Sequence, residues 1–290
     1  MSLKTKFNLA MLAAFVFGLG LAAALLYQVT IADARREVLR EASIIINAAA
    51  ASRIYTVEEI VPLLQEQSKL RFLPHTVPSW AAQTNMRTLQ KQLPSYTYKE
   101  ASLNPTNPAD RATDWEADII GEFTRHPELS EFVSTRDSAF GPTLSFSKPI
   151  RLKDPACLTC HSTPAAAPAT MTDLYGTANG FGWKLGEVVG VQVVSVPLQV
   201  ALDRANTALK LYLGGLAGVF LVMMVLLNIL LTTMIVRPVR RMSLIADEIS
   251  TGNMNAPEIQ PKGTDEIASL AASFNRMRRS LENAMKLLEG

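Results

Sequence analysis

Both cysteines of this 290-residue chain and one of its three histidines fall within five positions, Cys157-Leu-Thr-Cys160-His161. Such a segment offers two thiols that can add across the vinyl groups of a haem, and an imidazole that reaches the iron from the same turn of chain. Two other chemistries use the same residues. A zinc site needs four ligands, so one more would have to come from His75, His126 or a carboxylate, and no second clustered pair exists. A C-x-x-C dithiol or disulfide is chemically easy outside the cytoplasm, but such motifs normally open a helix after a strand. Here a Pro- and Ala-rich stretch, "STPAAAPAT", follows instead. The favoured expectation is one covalent haem c on Cys157 and Cys160, with His161 as the proximal iron ligand. Attachment of that kind takes place on the outer face of a bacterial membrane.

The second axial ligand decides between electron transfer and the binding of a small gas. His126, His75, Met86 and Met171 are the imidazole and thioether donors available in the same part of the chain. Taken singly, each reads more plainly as a surface His or a gap-filling Met.

The motif must be held outside a membrane, and the composition supplies one. The chain is 48% hydrophobic and 19% charged, greasier than an ordinary soluble domain. Leu9 to Tyr27 is a run of 19 uncharged residues, about 28 Å as a helix and matched to the bilayer core. Leu211 to Val236 is longer, and only Asn228, Thr232 and Thr233 are appreciably polar there. The first run also resembles a signal peptide, with Lys4 and Lys6 ahead of it. Its length exceeds the usual apolar core of such peptides, and a helical pattern continues without Pro or Gly until Pro62, so an uncleaved anchor is expected. Lys4, Lys6, Arg237, Arg240 and Arg241 put both termini in the cytoplasm, although Arg35, Arg36 and Arg40 weigh the other way. The expected layout is a cytoplasmic start (1–6), a transmembrane helix (7–29), a periplasmic domain (30–210), a second transmembrane helix (211–236) and an inner module (237–290). The net charge of +2 does not favour nucleic acid.

Within the outer domain, "FGPTLSFSKPIRL" and "GEVVGVQVVSVPL" are β-branched runs bounded by Gly and Pro and suit strands. The stretch before them mixes short helices with turns such as Asn104-Pro-Thr-Asn-Pro108. Helix first and strands later is an α+β order. Trp80, Trp115 and Trp183 read as core packing.

The blocks "YTVEEIVPLL", "FLPHTVPSWAAQ", "YTYKEASLNPTNPAD", "KPIRLKDPACLTCHS" and "YGTANGFGWKLGEVVGVQVVSVP" together resemble the periplasmic haem-c-binding sensor domains that have a PAS-like fold and commonly precede HAMP modules. The resemblance runs from about Tyr55 to Pro197. It implies a PAS-like antiparallel sheet, haem on Cys157 and Cys160, and His161 on the iron. A characterised type in that family uses a further cysteine, on the strand before the haem motif, as second axial ligand. No cysteine stands there in this chain, and within Ser145 to Ile150 the residue with ligating chemistry is Lys148.

The inner module carries two helical seams around a Gly-, Asn- and Pro-containing connector. Val239, Met242, Ala246 and Ile249 form the first, and Ile267, Leu270, Phe274, Met277, Leu281, Ala284 and Leu288 the second. Neither helix can bury its seam alone, so a parallel homodimer with two helices per chain is expected, with Met254 and Ile259 plugging into the bundle. An amphipathic tail on the membrane surface is the alternative. The segment resembles the HAMP module of bacterial receptors: Pro238 opens the first helix, Gly252 ends it, and Asp265-Glu266 and Phe274-Asn275 are the family's elements. This implies a bundle that relays small helix movements, with Pro238, Gly252 and Glu266 in the relay.

The expected fold is therefore α+β: a PAS-like periplasmic domain with a long N-terminal helix, two transmembrane helices and a cytoplasmic α-helical HAMP dimer. The expected function is a sensor in the bacterial inner membrane that passes a redox or diatomic-gas signal to an output in a partner or in a longer chain. A membrane-anchored c-type cytochrome carrying electrons to a partner is the alternative, and a receptor for a small organic ligand with a Cys157–Cys160 disulfide is a third. No catalytic constellation appears, and no enzyme is expected.

Overall fold

The computed structural model describes residues 1–253, 256–260 and 263–289, less the side chains of Leu3, Lys286, Leu288 and Glu289. The chain divides into two units, Gln28–Ala208 and Met1–Tyr27 with Leu209–Gly290.

The unit Gln28–Ala208 is built on a four-stranded antiparallel sheet. Its strands are β1 (Thr97–Ala101), β2 (Phe132–Ser138), β3 (Gly141–Arg151) and β4 (Val188–Pro197), in the order β1-β4-β3-β2. The helices in chain order are α1 (Leu3–Tyr55), α2 (Val61–Leu63), α3 (Gln65–Leu70), α4 (Pro78–Gln92), α5 (Asp114–Arg125), α6 (Leu158–His161), α7 (Ala169–Tyr175) and α8 (Gln199–Leu230).

Strand side chains alternate between faces, and each face has its own cover. On one face Leu144, Phe146, Val194 and Val196 pack against Ala34, Val38, Ala42 and Ile46 of α1 and against Ala201 and Ala205 of α8. The spacing of four along α1 keeps one narrow stripe against the sheet, and two of its four members, Ala34 and Ala42, are alanines, which let the backbones approach. On the other face Ala101, Val191 and Val193 meet Ile119, Ile120 and Phe123 of α5. A capping box opens α5: Glu116 accepts from the Thr113 backbone N–H at 2.8 Å, and the Thr113 side chain in turn caps the Glu116 backbone.

Beyond the apolar end of the first face lies a buried polar cluster. Glu100 is 4% exposed and accepts from the Arg53 guanidinium of α1 and from the Tyr98 hydroxyl at 2.6 Å. Tyr98 accepts in turn from Gln192 at 3.0 Å. Burial, and then the charge of Glu100, push the Tyr98 hydroxyl well above the usual phenol range.

The two strands expected from sequence are β3 and β4. The other two carry no apolar alternation: β1 reads TYKEA, with Lys99 and Glu100 both in ion pairs, and β2 reads FVSTRDS along an edge. The tryptophans do more than fill core. All three are half-buried, and the Arg136 guanidinium lies 4.1 Å from the centre of the Trp115 ring.

In the other unit the apolar runs lie on two helices long and apolar enough to cross a membrane, Lys4–Leu63 and Gln199–Ser250, neither window being buried in the protein. Phe15 and Phe220 stack there at 3.6 Å between ring centres. A π-helical turn, Leu231–Val236, joins α8 to α9 (Arg237–Ser250), and α10 (Glu266–Glu289) follows.

Met242, Ile245 and Ile249 of α9 pack with Ala271, Ala256 and Ile259. Ile245 replaces Ala246 in the expected seam, and Val239 is exposed, because in the single chain α9 turns its stripe toward α10. Leu270, Met277 and Leu281 remain exposed on α10. Buried Asn275 holds both backbone groups of Ile259, donating to the carbonyl at 2.6 Å and accepting from the N–H at 3.2 Å. Pro238 stands in the first turn of α9, Gly252 follows that helix with φ +98, and Glu266 opens α10. Met254 lies outside the described residues.

Ile46 is 1% exposed between α1 and the sheet. Ile46→Ala is expected to cost about 2–5 kcal/mol, read as a lower midpoint in urea unfolding of the full chain in detergent, followed by tryptophan fluorescence.

Candidate functional site

Asp154 starts the local structure of the motif. Its side chain accepts from Ala156 N–H at 2.8 Å and its carbonyl from Cys157 N–H at 3.1 Å, which winds Pro155–Cys157 into a 3-10 turn. The turn runs on into α6, so Cys157, Cys160 and His161 occupy i, i+3 and i+4 and share one side of a helical turn. Cys157 is exposed, Cys160 is half-buried, and both are free thiols.

Burial and then the charge of Asp154 push the Cys157 thiol up, with Arg53 opposing. Burial and then Cys157 push Cys160 up. Both groups are therefore protonated at neutral pH, unlike the activated thiolate of a dithiol redox centre. Among the described residues no group of three or more His, Cys, Asp or Glu side chains is gathered to hold a metal ion, so no fourth ligand completes a zinc site there.

His161 is held more closely than its neighbours. Its Nδ1 lies 2.7 Å from the Gly180 carbonyl. A carbonyl only accepts, so Nδ1 carries the proton and the Nε2 lone pair is left free. The imidazole stacks on Trp183 at 3.9 Å and 10° between planes, and burial lowers its pKa, favouring the neutral ring that ligates metals.

The loop that carries Gly180 and Trp183 is pinned to the motif from both directions. Gly182 N–H donates to the Ser162 carbonyl at 3.0 Å and Trp183 N–H to the His161 carbonyl at 3.2 Å. Asn104 holds the loop's other side, accepting from Gly180 N–H at 3.0 Å and donating to the Phe181 carbonyl at 3.1 Å. Gly180 has φ +86, and a Cβ there would come within 2.8 Å of the Thr106 Cα.

The structure brings Cys157, Cys160 and His161 into one turn and leaves the other candidate ligands on five separate elements. His75 is exposed in the 3-10 turn Pro74–Thr76, edge-on to Trp80 at 4.6 Å. Met86 is half-buried on α4 and Met171 is buried on α7. His126 ends α5 between Glu122 at 3.9 Å and Glu128 at 3.4 Å. Lys148, on β3, donates to Asn47 of α1 at 3.3 Å. Sequence reasoning missed Asn104, Gly180 and the role of Trp183. The glycine spacing in "YGTANGFGW" was the available signal, since three of its residues, Gly176, Gly180 and Gly182, take positive φ.

Residues 31–197 match the model of the Tll0287-like family. The chain belongs to that family. The Tll0287-like segment begins at residue 31, well ahead of Tyr55, because α1 from Ala34 onward is part of the sheet's core. Residues 230–283 match the HAMP domain, and a Tll0287-like domain followed by a HAMP domain is the architecture of a signal-transducing sensor. A curated relative, the sensor histidine kinase WalK of Bacillus subtilis (strain 168), is 34% identical over 104 residues, covering 36% of this chain and 17% of the kinase. The chain thus spans under a fifth of that relative's length. A solved structure, the cyanobacterial heme-protein Tll0287, is similar at 16% identity and TM-score 0.44, over 56% of this chain and 95% of that one.

Two outcomes follow from this geometry. Gly180→Ala combines a left-handed backbone with a clash at Thr106 and is expected to cost about 1–3 kcal/mol. Gly176→Ala, at φ +78 with nothing within 4 Å, carries only the backbone strain, so the thermal midpoint of the haem-free chain should fall further for Gly180→Ala. In the same haem-free chain, iodoacetamide should modify Cys157 and Cys160 more slowly at pH 8 than it modifies a cysteine peptide, with the rate climbing as pH rises through the elevated thiol range.

Proposed function

We propose that this chain is a haem-c sensor of the bacterial inner membrane, with two transmembrane helices, both termini cytoplasmic and the Gln28–Ala208 unit periplasmic. The observation that carries the reading is the state of His161. Its Nδ1 is engaged by the Gly180 carbonyl, which leaves the Nε2 lone pair for a ligand, and it sits in the same turn as one exposed and one half-buried free thiol. Cys157 and Cys160 would hold the haem through thioether bonds, each S–H adding across one vinyl group with sulfur on one carbon and hydrogen on the other, and His161 Nε2 would ligate the iron. Bound there, haem supplies an iron whose oxidation state or sixth ligand can change. The family's match and the heme named for Tll0287 support this assignment.

The chain's own residues then carry the signal. α8 contributes Ala201 and Ala205 to the core on the sheet and carries the second apolar run as far as Leu230, the rest lying in the π turn Leu231–Val236. The exposed Leu270, Met277 and Leu281 of α10 stand at heptad positions and are the face for a second copy, giving a homodimeric HAMP bundle. Pro238, Gly252 and Glu266 bound its two helices. The output is a separate partner or a further domain, and the chain itself is no enzyme. The signal is a change of iron redox state or a diatomic gas, and the second axial ligand is drawn from Lys148, Met171, Met86, His75 and His126.

The test is a haem stain of the denatured protein purified from its native membrane, beside Cys157→Ala. Colour on the wild-type band that is lost or greatly weakened in the variant is the expected result. A colourless wild-type band sinks the reading. Binding of CO or NO to the ferrous protein then separates a gas sensor from a tightly six-coordinate redox sensor.

A further inference from the structure

The loop that follows β1 contains an asparagine whose side-chain oxygen and nitrogen both bond to the backbone behind His161. Asn104 Oδ1 accepts from Gly180 N–H at 3.0 Å, and its Nδ2 donates to the Phe181 carbonyl at 3.1 Å. These bonds hold the two peptide groups that flank the Gly180–Phe181 peptide. The carbonyl of that peptide's first residue is the acceptor for His161 Nδ1. We propose that Asn104 is the positioning residue for His161: it clasps the peptide groups on either side of the Gly180–Phe181 peptide, fixes the direction of the Gly180 carbonyl between them, and thereby ties the plane of the imidazole to strand β1.

The tie to β1 is short. Asn104 N–H donates to Ser102 Oγ at 3.3 Å, and that hydroxyl donates to the Val189 carbonyl at the head of β4 at 2.6 Å. A second contact runs in parallel, Arg111 donating to Asn179 Oδ1 at 3.1 Å. Two residues before Ser102, on β1, stands Glu100, which is buried and accepts from Arg53 of α1. A displacement of the imidazole would therefore pass to β1 through the Gly180 carbonyl and the Asn104 and Ser102 side chains. Gly180 is the residue the clasp requires, because its positive φ turns the peptide toward Asn104 and a Cβ would strike Thr106.

The geometry of the clasp stands without a prosthetic group, whereas its consequence rests on the haem reading above. When an imidazole ligates iron, an acceptor on its Nδ1–H raises its basicity and stabilises the ferric state. Loosening the Gly180 carbonyl should therefore raise the midpoint potential and alter the orientation of the imidazole plane, which the g-values of a low-spin ferric haem report.

The experiment uses the full chain in lipid nanodiscs and compares wild type, Asn104→Ala and Asn107→Ala. Asn107 lies in the same loop, where its side chain accepts from Ala109 N–H at 3.1 Å, so its variant controls for loosening of the loop alone. In Asn104→Ala the haem stain should persist, the midpoint potential should rise, the ferric g-values should shift, and any difference in hydrogen exchange at Thr97–Ala101 between oxidised and reduced protein should shrink several-fold. Asn107→Ala should leave all of these at wild-type values. Unchanged potential and g-values in Asn104→Ala, or equal shifts in Asn107→Ala, would overturn the proposal. If Asn104→Ala does not accumulate, Asn104→Ser is read in the same way, its hydroxyl being too short to bridge both groups. If the wild-type chain carries no haem, the haem reading falls by itself and the clasp is read in the haem-free chain. Exchange of the Gly180 amide about tenfold faster in Asn104→Ala, as expected for the loss of its hydrogen bond, supports the clasp, and an unchanged rate refutes it.

Discussion

The hydrogen bond from His161 Nδ1 to the Gly180 carbonyl is the constraint on which the site depends. A histidine at the end of a four-residue helix has no packing of its own to choose a rotamer or a tautomer. The bond makes both choices at once, and Trp183 against the ring's face removes the remaining freedom. The rest of the loop serves that bond. Two backbone hydrogen bonds return the loop to Ser162 and His161, and a glycine stands at the one place where the chain must adopt a left-handed turn against a neighbouring backbone. The motif's thiols have no comparable tether, Cys157 being exposed and Cys160 half-buried.

The sheet is the rigid body behind this loop. It is covered on one face by a stripe of alanine, valine and isoleucine on α1 and on the other by α5, and both covers carry an ion pair to a buried carboxylate, Arg53 with Glu100 and Lys99 with Glu116. Removing one partner of such a pair strands a charge in the interior. The pairs therefore resist sliding of either helix along the strands, where apolar contacts alone would permit it. They also explain why β1, a short edge strand with little apolar character, holds its place.

Much of this was legible in the residues. The C-x-x-C-H spacing pointed to the candidate site, the β-branched runs located β3 and β4, and the heptad pattern with Phe274-Asn275 located the HAMP helices. What was not legible depends on contacts distant in sequence. Asn104 and Gly180 are 76 positions apart, and an asparagine before a proline reads locally as a turn former, which it also is. β1 and β2 escaped because hydrophobic alternation is weak when strand residues are spent on ion pairs or on an edge. Trp183 was taken for core because aromatic size says nothing about which ring it will face. Ile245 was passed over because a seven-residue repeat describes helices that share a partner, whereas α9 also has to cover Ala256 and Ile259 of its own connector.

The π-helical turn at Leu231–Val236 sets the phase of everything after it. A π turn accommodates one residue more than an α turn, so the face that α9 presents is offset by about 100° from that of an uninterrupted α-helix. Receptor chimaeras are commonly assembled by joining a membrane helix from one protein to a HAMP segment from another. Here the count of residues from the end of α8 at Leu230 through the π turn to Pro238 would have to be kept, extra residue included. A junction matched by sequence but one residue shorter would deliver the stripe of Met242, Ile245 and Ile249 to the wrong side of the helix.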